Sequence, residues 1–196
     1  MQFTGALFIG GKSSRMGFPK SLLPRGNTSL GHHLLQLLER VTGCQPLMVG
    51  AGCIGPHTLC YRQVPDHQAD AGPLAGLHAL FQQHPGQHFL VLAVDMPHMN
   101  APALNWLIQQ ARQQPELALK PLLAGRKFGE PLAACYPAAM GPMLAQAWQR
   151  GERAVRRALP ESLCCQPTVP AEHQAAFRNT NTPGEWQQAG FETPAC

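Results

Sequence analysis

The chain has 196 residues, with 15 basic and 11 acidic side chains, a net charge of +4 and 13% charged residues, against about a quarter in an ordinary soluble domain. Hydrophobic residues make up 44%, enough burial to offset chain entropy, which excludes a disordered chain, and the length suits one core rather than two full-sized domains. No apolar run approaches the roughly 18 residues that cross a bilayer, Met1–Ile9 lacks the basic start of a signal peptide, and so mild a basic excess does not indicate nucleic acid. Seven cysteines, odd in number and without a C-x-x-C pair, support neither a zinc site nor a redox motif. They are expected to be buried, reduced thiols in a cytosolic protein.

The predicted elements alternate. Phe3–Ile9 is a short apolar run read as a buried strand, followed by Gly10-Gly11 and a polar loop. Ser29–Val41 carries a leucine stripe at helical spacing, with Thr28 or Ser29 as its N-cap. Pro46–Ala51 and Leu59–Val64 read as strands. Gly72–His84 reads as a helix with Pro73 in its first turn. His88–Val94 is the clearest buried strand and runs into Asp95-Met96-Pro97. Ala101–Gln113 is helical, and Leu117–Ala124 and Leu132–Tyr136 read as strands flanking the turn Gly125–Gly129. Ala138–Arg150, Glu152–Leu159 and Pro183–Ala189 complete the helices. No internal repeat occurs.

Such alternation predicts an α/β fold, a mostly parallel sheet with helices on both faces. Ligands of these sheets bind at the carboxyl ends of the strands. The two most unusual loops, Gly10–Lys20 and Asp95–Pro97, both fall there. The first offers glycine backbone N–H groups and three cations to an anion. It is not a P-loop, because the glycine required five residues before Gly11 is Ala6. Of the 15 basic residues, only Lys12, Arg15, Lys20 and Arg25 precede Glu39, the first acidic residue. The rest of the chain is balanced, so the whole net charge sits around this loop, which suits a triphosphate.

The chain contains three aspartates. Asp95 ends the most apolar strand, where an unpaired carboxylate is costly; Mg²⁺, which takes one or two carboxylates plus phosphate oxygens, accounts for it. The alternative, a cap for the helix at Ala101, has the wrong spacing. Asp66 reads as a turn former, and Asp70 as a loop residue. Asn179 and Asn181 alternate with threonines and either face a ligand together or cap the helix after Pro183. His98 is a weaker ligand candidate, and Arg153, Arg156 and Arg157 form a basic face, either solvated or drawing in a phosphorylated substrate.

Ile9-Gly10-Gly11-x-Ser13-x-Arg15-Met16-Gly17-x-x-Lys20-x-Leu22-Leu23 resembles the signature loop of the MobA-like nucleotidyltransferases. Four further segments agree in order: Gly72-Pro73-Leu74-Ala75-Gly76, Asp95-Met96-Pro97, Glu130-Pro131-Leu132 with Tyr136, and Asn179-Thr180-Asn181-Thr182-Pro183. The last, with Gly151-Glu152-Arg153, resembles the molybdenum cofactor guanylyltransferases within that superfamily. The resemblance implies a single domain over residues 1–196, a Rossmann-like three-layer sandwich of the nucleotide-diphospho-sugar transferase type. It implies transfer of GMP from GTP to molybdopterin cofactor with Mg²⁺, in the cytoplasm, with molybdoenzymes or other cofactor-synthesis proteins as partners.

By the same resemblance, Phe8, Ile9, Gly10, Gly11, Lys20, Asp66 and Asp95 bind the nucleotide. Arg15, Lys20 and Asp95 are catalytic, Asp95 holds the metal, and Asn179 and Asn181 bind the acceptor. Three positions depart from the family: Phe8-Ile9 replaces Leu-Ala before the glycines, Pro19 replaces an acidic residue, and Gly50 replaces a strand-end asparagine. Pro19-Lys20 is similar to related cytidylyltransferases, so CTP, a different phosphorylated acceptor, or a non-catalytic nucleotide-binding role in cofactor delivery are the alternatives.

Overall fold

The computed structural model describes residues 1–10, 18–66 and 72–191. Its centre is a seven-stranded sheet built from β1 (Phe3–Phe8), β4 (Leu47–Val49), β5 (Arg62–Val64), β6 (His88–Ala93), β7 (Ala118–Leu119), β8 (Ala133–Tyr136) and β9 (Cys164–Cys165). The spatial order is β5-β4-β1-β6-β8-β7-β9. β5, β4, β1 and β6 run parallel, β8 is antiparallel to both of its neighbours, and β9 is parallel to β7. The mostly parallel sheet expected from the alternating elements is therefore present, with one reversed strand.

Alternating side chains divide the core into two layers. Leu90 and Leu92 of β6 face one cluster with Leu7, while Phe89 and Val91 face the other with Ala6. The helices α1 (Leu30–Thr42) and α3 (Ala101–Gln113) cover the first face; α2 (Pro73–Gln83), α4 (Gly141–Gln149) and α5 (Val155–Ala158) cover the second. Each large aliphatic side chain so buried contributes about 1.5–3 kcal/mol. The short α6 (Pro183–Gln188) closes the chain on the first face through Trp186, which is 1% exposed.

Helix ends follow the sequence signals. Ser29 caps α1, its hydroxyl accepting from His32 N–H at 3.2 Å, and Gly43 ends the helix in the left-handed conformation at φ 69°. Asn100 caps α3, accepting from Ala103 N–H at 3.0 Å. That removes the capping alternative for Asp95.

Several expected boundaries are corrected. The strand over Leu117–Ala124 shrinks to Ala118–Leu119: Pro121 has no N–H to give, and Lys120 and Leu122 donate instead to the Cys165 and Pro167 carbonyls. The strand over Leu59–Val64 keeps only Arg62–Val64, because the Thr58 hydroxyl bonds back to Gly55 O and shapes a 3₁₀ turn over Thr58–Cys60. The helix over Glu152–Leu159 is only Val155–Ala158. Gly151 turns the chain at φ 84°, and Ala154 is extended. The hairpin of β2 (Pro24–Arg25) with β3 (Thr28–Ser29), β9 and the 3₁₀ segment Ala171–Phe177 are present in addition to the expected elements. The cysteine expectation also changes. Of the described thiols, all free, only Cys135 is buried, with Cys53 and Cys60 exposed. Burial pushes the Cys135 thiol well above the usual thiol range, beyond any useful thiolate population. Cys196 lies outside the described residues, where nothing tests the expectation.

Candidate active site

The parallel strands end in register. Phe8 pairs with Val49 and with Ala93, and Val49 pairs with Val64, so the four chain exits stand in one row. Just past that row come Gly10, Gly50, Asp66 and Asp95. Residues from four separate segments are thus delivered to the carboxyl edge of the sheet by strand length alone.

Asp66 lies in a cleft walled by glycine. Its carboxylate oxygens would stand 3.6 Å from a Cβ on Gly10, 3.4 Å from one on Gly50 and 3.0 Å from one on Gly76. Gly50 has φ 96°, and a Cβ there would meet Gly10 N and Cα at 3.1 Å. Left-handed backbone and this close approach explain why glycine stands at position 50. Phe8 and Ile9 put their side chains into opposite core layers, at 7% and 8% exposure. The Phe8 carbonyl accepts from Val94 N–H and the Ile9 N–H donates to Val49 O, both at 3.0 Å. Little beyond the Ile9 carbonyl remains for a ligand.

Lys20 opens a 3₁₀ turn after Pro19, with neighbouring Ser21 tied to Cys53 O at 2.7 Å. Its Nζ donates to Asn181 Oδ1 at 2.7 Å and lies 3.7 Å from Asp95 Oδ2. Both side chains of the ion pair are largely buried, at 13% and 22% exposure. Burial lowers the Lys20 ammonium below the usual lysine range, although Asp95 and Glu185 pull it back. Burial likewise raises the Asp95 carboxyl, and Lys20 only partly offsets it. Asp95 Oδ1 is buried and has no hydrogen-bond partner among the described residues.

Asn181 reaches this centre because other groups perform the capping. Thr182 caps α6, accepting from Glu185 N–H at 3.2 Å, while the Glu185 carboxylate takes the Asn181 N–H at 2.6 Å. The side-chain amide of Asn181 is thereby released toward Lys20. Upstream, Thr180 N–H donates to the Asp95 carbonyl at 2.7 Å, fastening the segment to the end of β6. Asn179 is exposed and makes no side-chain hydrogen bond among the described residues. Gly11, Arg15 and Asp70 lie outside the described residues.

The remaining candidates are placed elsewhere. The His98 ring packs 5.1 Å from Phe191. Arg153 lies over Trp148 and Arg156 over Phe128, while Arg157 pairs with Glu152 at 3.3 Å. One carboxylate was missed as a site residue: Glu130. Its carboxyl accepts from Leu132 N–H at 3.1 Å and is raised by burial, then by the nearby Asp95 carboxylate. Its signal was the Glu130-Pro131-Leu132 segment, which carried no assigned role.

Among the described residues no three His, Cys, Asp or Glu side chains form a self-sufficient metal cluster. The orphaned Asp95 Oδ1 fits a hard cation that takes most of its ligands from phosphate and water. Among the same residues no helix is long and apolar enough to cross a membrane.

A sheet of this order with an acid–lysine centre at its carboxyl edge defines a nucleotide-binding α/β domain. The chain belongs to the MobA-like NTP transferase domain family, which it matches over residues 5–163. It is 32% identical to a protein named molybdenum cofactor guanylyltransferase from Xanthomonas euvesicatoria pv. vesicatoria, covering 98% of this chain and 96% of that one. It is 31% identical to a protein of the same name from Pseudomonas fluorescens, over 90% and 88% of the two chains. The fold superimposes on the crystal structure of molybdopterin-guanine dinucleotide biosynthesis protein A from Archaeoglobus fulgidus, with a TM-score of 0.76, 24% identity and coverage of 95% and 96%. It also superimposes on 2-C-methyl-D-erythritol 4-phosphate cytidylyltransferase from Thermus thermophilus at a TM-score of 0.68, with 18% identity over 96% and 97% of the two chains.

Proposed function

We propose that the chain is a cytoplasmic molybdenum cofactor guanylyltransferase. A terminal phosphate oxygen of molybdopterin cofactor forms a bond to the α-phosphorus of GTP, the α–β bridging bond breaks, and pyrophosphate leaves with that electron pair. The guanine dinucleotide form of the cofactor remains. The observation that carries this reading is the Lys20 centre, in which one buried ammonium touches Asn181 and pairs with Asp95. The curated relatives named above support the choice of GTP and acceptor.

This chemistry requires positioning and charge stabilisation, with no covalent intermediate on the protein. Gly10 and Gly11 hold the nucleotide close to the backbone, with Asp66 in the adjoining glycine cleft as a hydrogen-bond acceptor for the base. Lys20 and Arg15 neutralise the triphosphate. Asp95 would hold Mg²⁺, which when bound supplies charge stabilisation to phosphate oxygens. Asn181 and Asn179 orient the acceptor phosphate. Asp95 and Lys20 hold each other in place before substrate arrives, so little reorganisation is needed.

The deciding experiment measures pyrophosphate release and nucleotide transfer to purified molybdopterin from GTP and from CTP. GTP-dependent transfer that needs a divalent cation is expected. Transfer from CTP alone would replace guanine with cytosine, and GTP binding without pyrophosphate release would make the chain a nucleotide-binding partner in cofactor delivery.

A further inference from the structure

The sheet extends past Asp95 through β8 to β7, and β7 delivers a second lysine into the fold. Lys120 is only 6% exposed. Strand alternation puts it on the face of Ala118, against α5 and the turn beyond it, and opposite Leu119. Its backbone N–H is fixed to Cys165 O at 2.9 Å. A Cβ on Gly129 would overlap the Lys120 carbonyl, so the glycine is what lets the 129–131 segment lie against it. The Lys120 side chain makes no hydrogen bond or ion pair among the described residues.

The side chain lines a cavity of about 250 Å³ together with Phe128, Arg156, Glu161 and Gln166. Gln166 Oε1 already accepts from Gly129 N–H at 2.7 Å, which leaves its amide N–H groups to donate inward. The Arg156 guanidinium lies flat on Phe128, 4.0 Å from the ring centroid. The cavity therefore offers an ammonium, a guanidinium and an amide donor against the single carboxylate of Glu161. The Lys120 stem is buried while its ammonium keeps access to solvent through the cavity. An occupant rich in acceptor atoms would take the place of that solvent against the ammonium, the guanidinium and the amide.

The cavity adjoins the reaction centre. Gly129 and Pro131 line it, and Glu130 between them feels the charge of Asp95. The next residue, Leu132, accepts from Ala93 N–H at 2.6 Å, two positions before Asp95. Chain geometry keeps the wall within about 15 Å of Asp95. We propose that this cavity, through Lys120, Arg156 and Gln166, binds the anionic, acceptor-rich part of the acceptor molecule that lies away from its reacting phosphate. This rests on the guanylyltransferase reading above.

The test is equilibrium dialysis of the full chain against molybdopterin and, separately, against GTP. Lys120→Met should weaken molybdopterin binding at least tenfold, shift GTP binding less than twofold and leave the thermal midpoint little changed, because methionine keeps the buried stem and only a solvent-reaching charge is removed. Lys120→Arg should restore most of the affinity. If K120M fails to fold, Arg156→Gln at an exposed position carries the same comparison, with a loss of about threefold to tenfold expected. Unchanged molybdopterin affinity in the soluble variants, equal loss of GTP binding, or absence of molybdopterin binding by the wild type would overturn the assignment. Lys120-dependent molybdopterin binding without any nucleotide transfer would uphold the cavity and refute the transferase reading. Transfer from GTP with K120M affinity unchanged would do the reverse.

Discussion

Lys20 and Asn181 stand 161 positions apart in the chain and are joined by a 2.7 Å hydrogen bond from the ammonium to the side-chain carbonyl. That bond connects the end of the glycine loop with the segment before α6, so the proposed nucleotide and acceptor halves of the site share one donor. Groups acting through a shared partner are not additive. Lys20→Ala should lower kcat/KM by about 10²–10³, and Asn181→Ala by about tenfold to a hundredfold through misplacement alone. The double variant should fall little below Lys20→Ala. Steady-state rates of pyrophosphate release give all three values, and full additivity would show that the contact does not couple the halves.

Asp95 is held at a cost in the metal-free protein. Its carboxyl is raised by burial more than Lys20 lowers it, so the folded state binds the proton more tightly than the unfolded chain does. Stability from this group is then fully present below the ordinary carboxylate range and is lost as pH rises through the folded value. Asp95→Asn removes the ionisation. In chelator-treated protein the variant should melt higher than the wild type at neutral pH, and the gap should close as pH falls below about 4. The same variant should lose at least about 10³ in turnover. A lower melting point for the variant at neutral pH would contradict this balance.

Much of the site was legible because strand ends are legible. β6 is an unbroken apolar run that stops at Asp95, and β1 stops before Gly10, so parallel pairing alone carries both to one edge. The Asn179–Pro183 segment was legible as chemistry but ambiguous in role, since asparagine before a proline-started helix also reads as a cap. Only the folded chain shows Thr182 and Glu185 doing the capping, which releases Asn181. Glu130 and Lys120 were not legible. Each owes its setting to β8 and β7, four- and two-residue strands whose pairing is decided by distant partners rather than by local pattern. The hairpin of β2 and β3 and the two-residue β9 were hidden for the same reason.

The glycine cleft around Asp66 is a packing constraint as well as a ligand feature. A Cβ on Gly76 would lie 2.6 Å from Phe8 Cε1, 2.9 Å from Val49 Cγ1 and 3.0 Å from Asp66 Oδ1. Gly76→Ala should therefore destabilise by about 1–3 kcal/mol and weaken GTP binding by displacing Asp66. Gly50→Asn, which writes the family's residue into this chain, should also destabilise rather than improve guanine selectivity, because φ 96° and the Gly10 backbone stand in its way. Urea unfolding and GTP titration test both. A Gly50→Asn protein of wild-type stability and tighter GTP binding would show that the backbone relaxes there.

Glu130 sits beside Asp95 without forming part of the lysine centre. Its carboxyl accepts the Leu132 N–H, and the second cause of its raised titration, after burial, is the Asp95 carboxylate. Two carboxyl groups in one low-dielectric corner repel when both are ionised, and a divalent cation is what relieves that repulsion. Glu130→Gln keeps the hydrogen-bond acceptor and the volume but removes the charge. The variant should need a severalfold higher Mg²⁺ concentration for half-maximal turnover, while its rate at saturating Mg²⁺ falls less than tenfold. Because the repulsion is gone, the loss of metal-free stability as pH rises through the folded Asp95 value should be smaller, which follows from removing a negative neighbour from Asp95. A Mg²⁺ requirement identical to the wild type would assign Glu130 to holding Leu132 at the end of β6 and nothing more.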